Sequence, residues 1–445
     1  MDMNIIQWQT CEKDDLQKII NYLKIEKKEI FLTNNDKVNE NILQNSVNCI
    51  RTQWIQKVFK ISSTFCGSPW RGMNPCDTDG EPVFYTYGTL VDDSKVATNL
   101  TGYTITNRLN RTYIYDNGMS AIRGTIEIIN SFIREPIRIQ HFAGYFETRI
   151  FFETLKNCGI TVNETNAKNN VFFFEPIQYR LDLPSTDINF VIDLINKSDA
   201  KVKFIIIDST MDCSTTIFEV LRKKIKKEFN VVFIELRSGI KQDQFGLEFE
   251  NIGIVTWHVH KKNISYAENL FQYIKHYKNI SGENISYNKL LLVSKCEFQK
   301  SMEYKLKLQY IVQSFMDTIE IKIHKYILEI ISPKTSIEGY VSSIPFIFVK
   351  FNLSSRESYE QLLNNFINCC LEDQLFLPYR KSFGVRYPSI EFICDYETKE
   401  CVMKFGLGVY KGALYEKIFD MISALGSEGS SKIKKELTNN ISEWR

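Results

Sequence analysis

The sequence predicts an α/β protein: a mostly parallel sheet flanked by helices, followed by a smaller α+β C-terminal domain. Three observations predict it. Strand-like and helix-like segments alternate repeatedly between residues 113 and 265. The strand segments are continuous apolar runs rather than alternating ones, as expected where helices cover both faces of a sheet. From about Ser332 to Arg445 short strands and helices mix in a different texture, as a separate unit.

The first 60 or so residues read as charged helix, as in KDDLQKIINYLKIEKKEI. From Phe65 to Thr112 the chain is rich in Gly, Pro, Thr, Asn and Asp and has little periodicity. Residues 1–112 are therefore expected to form a helical segment and a loop-rich arm, and a loop stretch of this length usually builds or wraps a site. NGMSAIRGTIEIINSF is a turn followed by an amphipathic helix. IRIQHF (137–142) is a strand, and YFETRIFFETLKNCG a helix stopped by Gly159. VFFFEP (171–176) is a strand and DINFVIDLINKS (187–198) a helix. KVKFIIID (201–208) is a strand and STTIFEVLRKKIKKEF (214–229) a helix. VVFIEL (231–236) is a strand, then comes a loop carrying Lys241, then the strand IGIVTWHV (252–259). Residues 266–331 read as a helical connection. In the tail, FIFVKFNL, SIEFICDY and CVMKFGLGVY are strands, and SYEQLLNNFINCC and LYEKIFDMISAL are helices.

Composition excludes several function classes. With 445 residues, 44% of them hydrophobic, the chain can bury a sizeable core. Its 55 basic and 53 acidic residues leave a net charge of +2, with no single-sign field for nucleic acid or an acidic membrane. The basic run LRKKIKKEF (221–229) interleaves apolar residues at helical spacing and reads as a solvated helix face. The N-terminus lacks a secretory pattern, and no apolar run approaches the roughly 18–20 residues of a membrane span. The eleven cysteines are scattered, odd in number and without a C-x-x-C pair. They point to free thiols in a reducing cytoplasm.

In an open α/β sheet, ligands bind outside the carboxyl ends of the strands. Three features are expected there. Asp208 closes one strand, Lys241 follows another, and the turn Asn117-Gly118-Met119 opens a helix whose first N–H groups can meet a phosphate. Singly each is commonplace: a strand-end Asp is often a helix cap, and a loop lysine a surface charge. Together they meet the needs of one cofactor, pyridoxal 5'-phosphate. It requires a phosphate cradle, an amine for a Schiff base, and a carboxylate to keep its ring nitrogen protonated.

The chain resembles fold-type I pyridoxal-phosphate enzymes, most of all the cysteine/methionine-metabolism (transsulfuration) branch. That branch carries S-G-M-A-A-I before a helix, and this chain has Asn117-Gly118-Met119-Ser120-Ala121-Ile122. Its Y-G-G-T corresponds to Tyr145-Phe146-Glu147-Thr148, and its strand-end Asp, small residue and Thr to Asp208-Ser209-Thr210. Its S-A-T-K corresponds to Ser238-Gly239-Ile240-Lys241. The resemblance spans roughly residues 80–260 and implies the following roles. Lys241 carries the cofactor and moves protons, with Tyr145 as the second catalytic residue, stacked on the ring. Asp208 pairs with the pyridine nitrogen, beside Thr210. Asn117, Gly118, Met119 and Ser238 hold the phosphate. Arg108, in GYTITNRLNRT (102–112), would reach the cofactor phosphate of a partner subunit, which implies a homodimer or a dimer of dimers.

The departures from the pattern fall at phosphate and substrate contacts. Ile240 stands where the family has Thr, and Asn110-Arg111-Thr112 where it has Asn-Pro-Thr. Arg108 is one residue out of register, with Thr106 in place of Tyr. In VMKFGLG, Lys404 takes the place of the family's carboxylate-binding Arg; it can hold a carboxylate as a point charge only. Arg386 is the alternative holder of the substrate carboxylate.

The implied activity is Schiff-base exchange with an amino-acid-derived substrate and α-proton abstraction, then elimination or replacement at the β or γ carbon, as a lyase or transferase. Aminotransfer and carbon–carbon bond formation use the same residues and stay open. So does a catalytically inactive interaction subunit that keeps the fold. WHVH (257–260) places two histidines on one strand face without a third ligand, so no metal site is expected. CDTDGE (76–81) fails as a calcium loop because Gly88 stands where a bidentate Glu is needed.

Overall fold

The computed structural model describes residues 3–26, 29–62, 75–81, 85–86, 90–91, 93–103, 109–163, 168–212, 216–226, 231–319, 326–332, 344–395, 398–428 and 430–441. Helices α1 (Ile5–Leu23) and α2 (Asp36–Ser62) open the chain. Strands β1 (Tyr85–Thr86) and β2 (Leu90–Val91) and helix α3 (Ser94–Thr101) lead to β3 (Asn110–Tyr115). The central unit runs α4 (Gly118–Phe132), β4 (Arg138–Phe142), α5 (Phe146–Asn157), β5 (Thr161–Val162), β6 (Val171–Phe174), α6 (Ile188–Lys197) and β7 (Lys203–Asp208). It continues through α7 (Thr216–Lys224), β8 (Val231–Ser238), α8 (Gly239–Gln242) and β9 (Gly253–Val259). Then come α9 (Ile264–Ser281), α10 (Tyr287–Val293), α11 (Phe298–Thr318), β10 (Ile327–Ile331), β11 (Phe346–Phe351) and α12 (Arg356–Glu372). The chain closes with β12 (Ser389–Cys394), β13 (Cys401–Gly406), α13 (Ala413–Gly426) and α14 (Lys432–Thr438).

Seven strands form one sheet in the order β3-β9-β8-β7-β6-β4-β5. β5, β4, β6, β7 and β8 are parallel, and β9 runs antiparallel to both β8 and β3. The expected mostly parallel, doubly covered sheet is therefore what the chain forms. Its apolar runs show why. Along β6, Val171 and Phe173 point into the core under α4 and α9, while Phe172 and Phe174 point into the core under α6 and α7. β7 repeats this with Phe204 and Ile206 on one side and Ile205 and Ile207 on the other. A strand buried on both faces has no polar position to alternate with.

The second sheet is antiparallel, in the order β10-β11-β13-β12, and packs against α11, α12, α13 and α14. No helix among the described residues is long and apolar enough to cross a membrane.

Four observations differ from the sequence-based expectation. Asn110–Tyr115, whose first half was assigned to the loop-rich arm, is an edge strand paired with β9. β10 lies within the stretch expected to be helical. α1 and α2 are part of the body: Leu16, Ile20, Leu43, Ile50 and Trp54 share a core with Ile252, Leu291 and Tyr387. The fully buried Trp54 donates its indole N–H to the Leu292 carbonyl at 2.9 Å. Finally, not every described thiol is free. Cys394 and Cys401 face each other across β12 and β13, with Cα atoms 4.1 Å apart, and are disulfide-bonded. Their spacing along the chain does not reveal that hairpin register.

Sheet register places the functional edge. Tyr115 pairs with Gly253, Gly253 with Ser238, and Leu236 with Asp208. The C-terminal ends of β3, β8 and β7 thus lie along one edge, with the start of β9 between β3 and β8, and α4 starts three residues beyond Tyr115 at that edge. Gly253 permits this: a Cβ there would sit 2.3 Å from the Asn117 carbonyl oxygen.

Candidate active site

Asn117 caps α4. Its side chain accepts the Ser120 amide at 2.8 Å, and its own amide donates to Ser120 Oγ at 2.9 Å. The cap leaves the Gly118 and Met119 amides at the positive end of the helix without partners among the described residues. Ser238 lies against them: a Cβ on Gly118 would be 3.2 Å from Ser238 Cβ and 3.6 Å from its hydroxyl. The Ser238 amide donates to Thr210 Oγ1 at 2.9 Å, which ties the end of β8 to the turn after β7. These groups form a cradle with N–H and O–H donors and no carboxylate.

The neighbouring strand ends are acidic. Asp208 closes β7 and accepts the Thr210 amide at 2.9 Å. Glu175, one residue beyond β6, is buried and accepts the amides of Tyr145 and Tyr179, each at 3.1 Å. Neither carboxylate has an ion-pair partner among the described residues. Burial raises both above the ordinary carboxylate range, and the charge of Asp208 adds to the rise at Glu175, which reaches about 8 despite its N–H donors.

This arrangement has a measurable signature. A folded state that keeps a proton on Glu175 gains stability relative to an unfolded chain that releases it near 4.5. The contribution is complete below about 4.5 and is lost as pH rises through about 8. The melting midpoint of cofactor-free protein should therefore fall across that window, and Glu175→Gln should flatten the fall. A variant with the same slope as wild type would show that Glu175 is not the group responsible.

Lys241 lies on the one-turn helix α8, directly after β8. Its amine donates to Ser382 Oγ at 3.0 Å and lies 5.0 Å from the Phe383 ring centre. Desolvation lowers its pKa, with Lys404 and Arg380 adding to the shift. Gly384 makes the approach possible: its φ is +76°, and a Cβ there would meet the Lys241 carbonyl oxygen at 2.1 Å. A chain of rings joins the amine to the acids. Phe383 stacks near Tyr179 at 6.3 Å, and Tyr179 lies 6.0 Å from Tyr145. Desolvation raises the Tyr145 phenol, with the charges of Glu147, Asp208 and Glu175 adding to it. Thr148 Oγ1 approaches Met119 Sδ at 3.9 Å, so α5 also touches the start of α4.

The two candidate carboxylate holders differ. Lys404, on β13, lies 3.5 Å from the Tyr179 hydroxyl and 6.0 Å from the Phe383 ring, and forms an ion pair with Glu391. Arg386 is not offered to a substrate: Nε and Nη2 bind Glu12 at 2.6 and 2.7 Å, and Nη1 donates to the Phe245 carbonyl at 3.1 Å. Arg108, like Thr106, lies outside the described residues. Of the two histidines on β9 and just beyond it, His258 lies 3.5 Å from Glu235, and His260 accepts the Lys262 amide at 3.2 Å.

Sequence reasoning did not single out Glu175, Tyr179, Ser382, Phe383 or Glu391. Glu175 carried a signal, since it ends a strand just before a proline. The others lie on loops or in the C-terminal domain and reach the site only through the tertiary fold.

No family model and no curated protein sequence matches the chain. Solved structures do. A methionine gamma lyase from Micromonospora echinospora superposes with a TM-score of 0.53 at 14% identity, over 78% of this chain and 89% of that one. A cystathionine gamma synthase from Xanthomonas oryzae pv. oryzae, in complex with aminoacrylate and cysteine, gives 0.53 at 12%, over 83% and 92%. A cystathionine gamma-lyase from Lactobacillus plantarum, complexed with L-serine, gives 0.51 at 14%, over 80% and 89%. The chain shares their fold. That is the fold implied by the motifs around Gly118, Asp208 and Lys241, and at these identities the likeness speaks to the fold alone.

Proposed function

We propose that the protein is a pyridoxal-phosphate-dependent enzyme that abstracts the α-proton of an amino-acid-derived amine and promotes elimination or replacement at the β or γ carbon. The observation that carries this reading is a pattern of polar groups without partners along one sheet edge. The Gly118 and Met119 amides and the Ser238 hydroxyl form an anion cradle, while Asp208 and Glu175 are carboxylates without a cation. A group with an anionic phosphate and a cationic ring nitrogen supplies what each end lacks, so the residues fit the cofactor.

When bound, the cofactor supplies an electron sink for the charge left at the α carbon. The residues do the rest. Lys241 is desolvated, and its lowered pKa leaves more of it as the neutral amine that can accept a proton. Ser382, in contact with the Lys241 amine, orients it. Tyr145, held over the Glu175 carboxylate by its backbone, gives the site an aromatic wall. The likeness to lyases and synthases of sulfur amino acids supports this reaction class, with transferase chemistry as its replacement branch. A homodimer in which a second copy completes the cofactor site belongs to the same proposal. So does a cytoplasmic location, which the seven described free cysteines support and the single Cys394–Cys401 bond does not.

The test is trapping. Purified protein is supplied with pyridoxal phosphate, reduced with borohydride and digested. The cofactor mass should appear on the peptide that contains Lys241. If no cofactor is taken up, the enzyme reading fails, and a fold-retaining interaction subunit is the better account.

A further inference from the structure

We propose that the site takes an amino-acid amide rather than a free amino acid, with Lys404 and Glu391 as the pair that recognises the carboxamide. This rests on the cofactor reading above and names the substrate class of that same site.

A free α-carboxylate needs a cation that is not already neutralised. Each cation that the structure places around the Lys241 amine, or that the sequence put forward for this task, is engaged by a carboxylate. Arg386, 3% exposed, is held in a two-point contact by Glu12. Arg380 is paired with Glu248 and also donates to the Tyr387 hydroxyl at 3.0 Å. Lys404 is paired with Glu391.

The Lys404–Glu391 pair is also fixed in place. The two residues are direct cross-strand partners on β13 and β12, so the sheet sets their separation. They are 1% and 8% exposed, so the pair is largely withdrawn from water. A substrate carboxylate brought to Lys404 would lie against Glu391, placing two anions on one ammonium in a desolvated site.

A carboxamide has the complementary pattern. Its carbonyl accepts from the Lys404 ammonium, and its N–H donates to the Glu391 carboxylate. Glu391 Oε2 contacts the Lys404 ammonium, and a carboxylate with its two oxygens keeps capacity for that N–H. The position suits the chemistry, because the Phe383 ring lies 5.0 Å from the Lys241 amine and 6.0 Å from that of Lys404. A neutral amide satisfies both members of the pair without adding charge.

The experiment titrates cofactor-loaded protein with matched pairs, L-methionine against L-methioninamide and L-serine against L-serinamide. The readout is the half-saturation of the cofactor's absorbance change. In wild type the amide should half-saturate at a concentration at least tenfold lower than the acid. In Glu391→Gln, which frees the Lys404 charge, the order should reverse. Wild-type protein that prefers the free acid overturns the inference while leaving the cofactor reading intact. So does a preference that Glu391→Gln leaves unchanged in a variant that melts like wild type. Failure to take up cofactor removes both readings together.

Discussion

Replacing Arg386 by Ala should lower the stability of the protein by about 3–5 kcal/mol, among the largest effects of any single substitution in this chain. The guanidinium is buried, and so is its partner: Glu12 is 3% exposed. Removing Arg386 leaves a buried carboxylate without its two-point partner. The urea midpoint should drop accordingly, without a change in slope. The double variant Glu12→Leu/Arg386→Met should recover most of the loss, because a buried ion pair often does little better than well-packed apolar side chains. If Arg386→Ala costs less than about 1 kcal/mol, the contact is not the structural clasp described here.

Lys241→Ala should abolish chemistry while sparing the fold. A positioned proton-transfer group contributes roughly 10²–10⁴-fold, and Lys241 is also the proposed point of attachment, so the loss should be at the upper end or beyond. A readout that does not depend on the final product is exchange of the substrate α-hydrogen in heavy water, followed by NMR. Wild-type protein with cofactor should exchange it, and the variant should not. Added methylamine should restore part of the exchange in the variant, which a merely structural lysine would not show. The melting midpoint should hold or rise, because a desolvated amine has been removed. Full exchange by the variant would remove Lys241 from the mechanism.

Much of the fold was legible in the sequence because burial is local information in a doubly covered sheet. The runs VFFF and KFIIID announce β6 and β7, since every residue in them but the first lysine and the last aspartate is apolar. β3 was not legible. Its sequence NRTYIY is half polar, and its strand character comes from pairing with β9, from Asn110 opposite His258 to Tyr115 opposite Gly253. The site divides in the same way. Asp208, Lys241 and the Asn117 turn could be placed because each lies at the end of a recognisable element. The roles of Glu391 and Arg386 could not. Glu391 is defined by a cross-strand register with Lys404, and Arg386 by a partner at the other end of the chain. A residue type proposes chemistry, but its nearest charge decides whether that chemistry is available.

The clasp between Glu12 and Arg386 also sets an order of events during synthesis. Helix α1 is made well before its partner, and its buried acid waits for a residue 374 positions later. At ~5–20 residues per second, that wait is on the order of twenty to seventy seconds. Throughout it, the apolar face of α1 has no complete seat, because Tyr387 and Tyr410 of the same core have not yet been made. Helix α1 can pack on α2 early, but its seat is completed only late, and its unshielded face is where a chaperone has a long opportunity to bind.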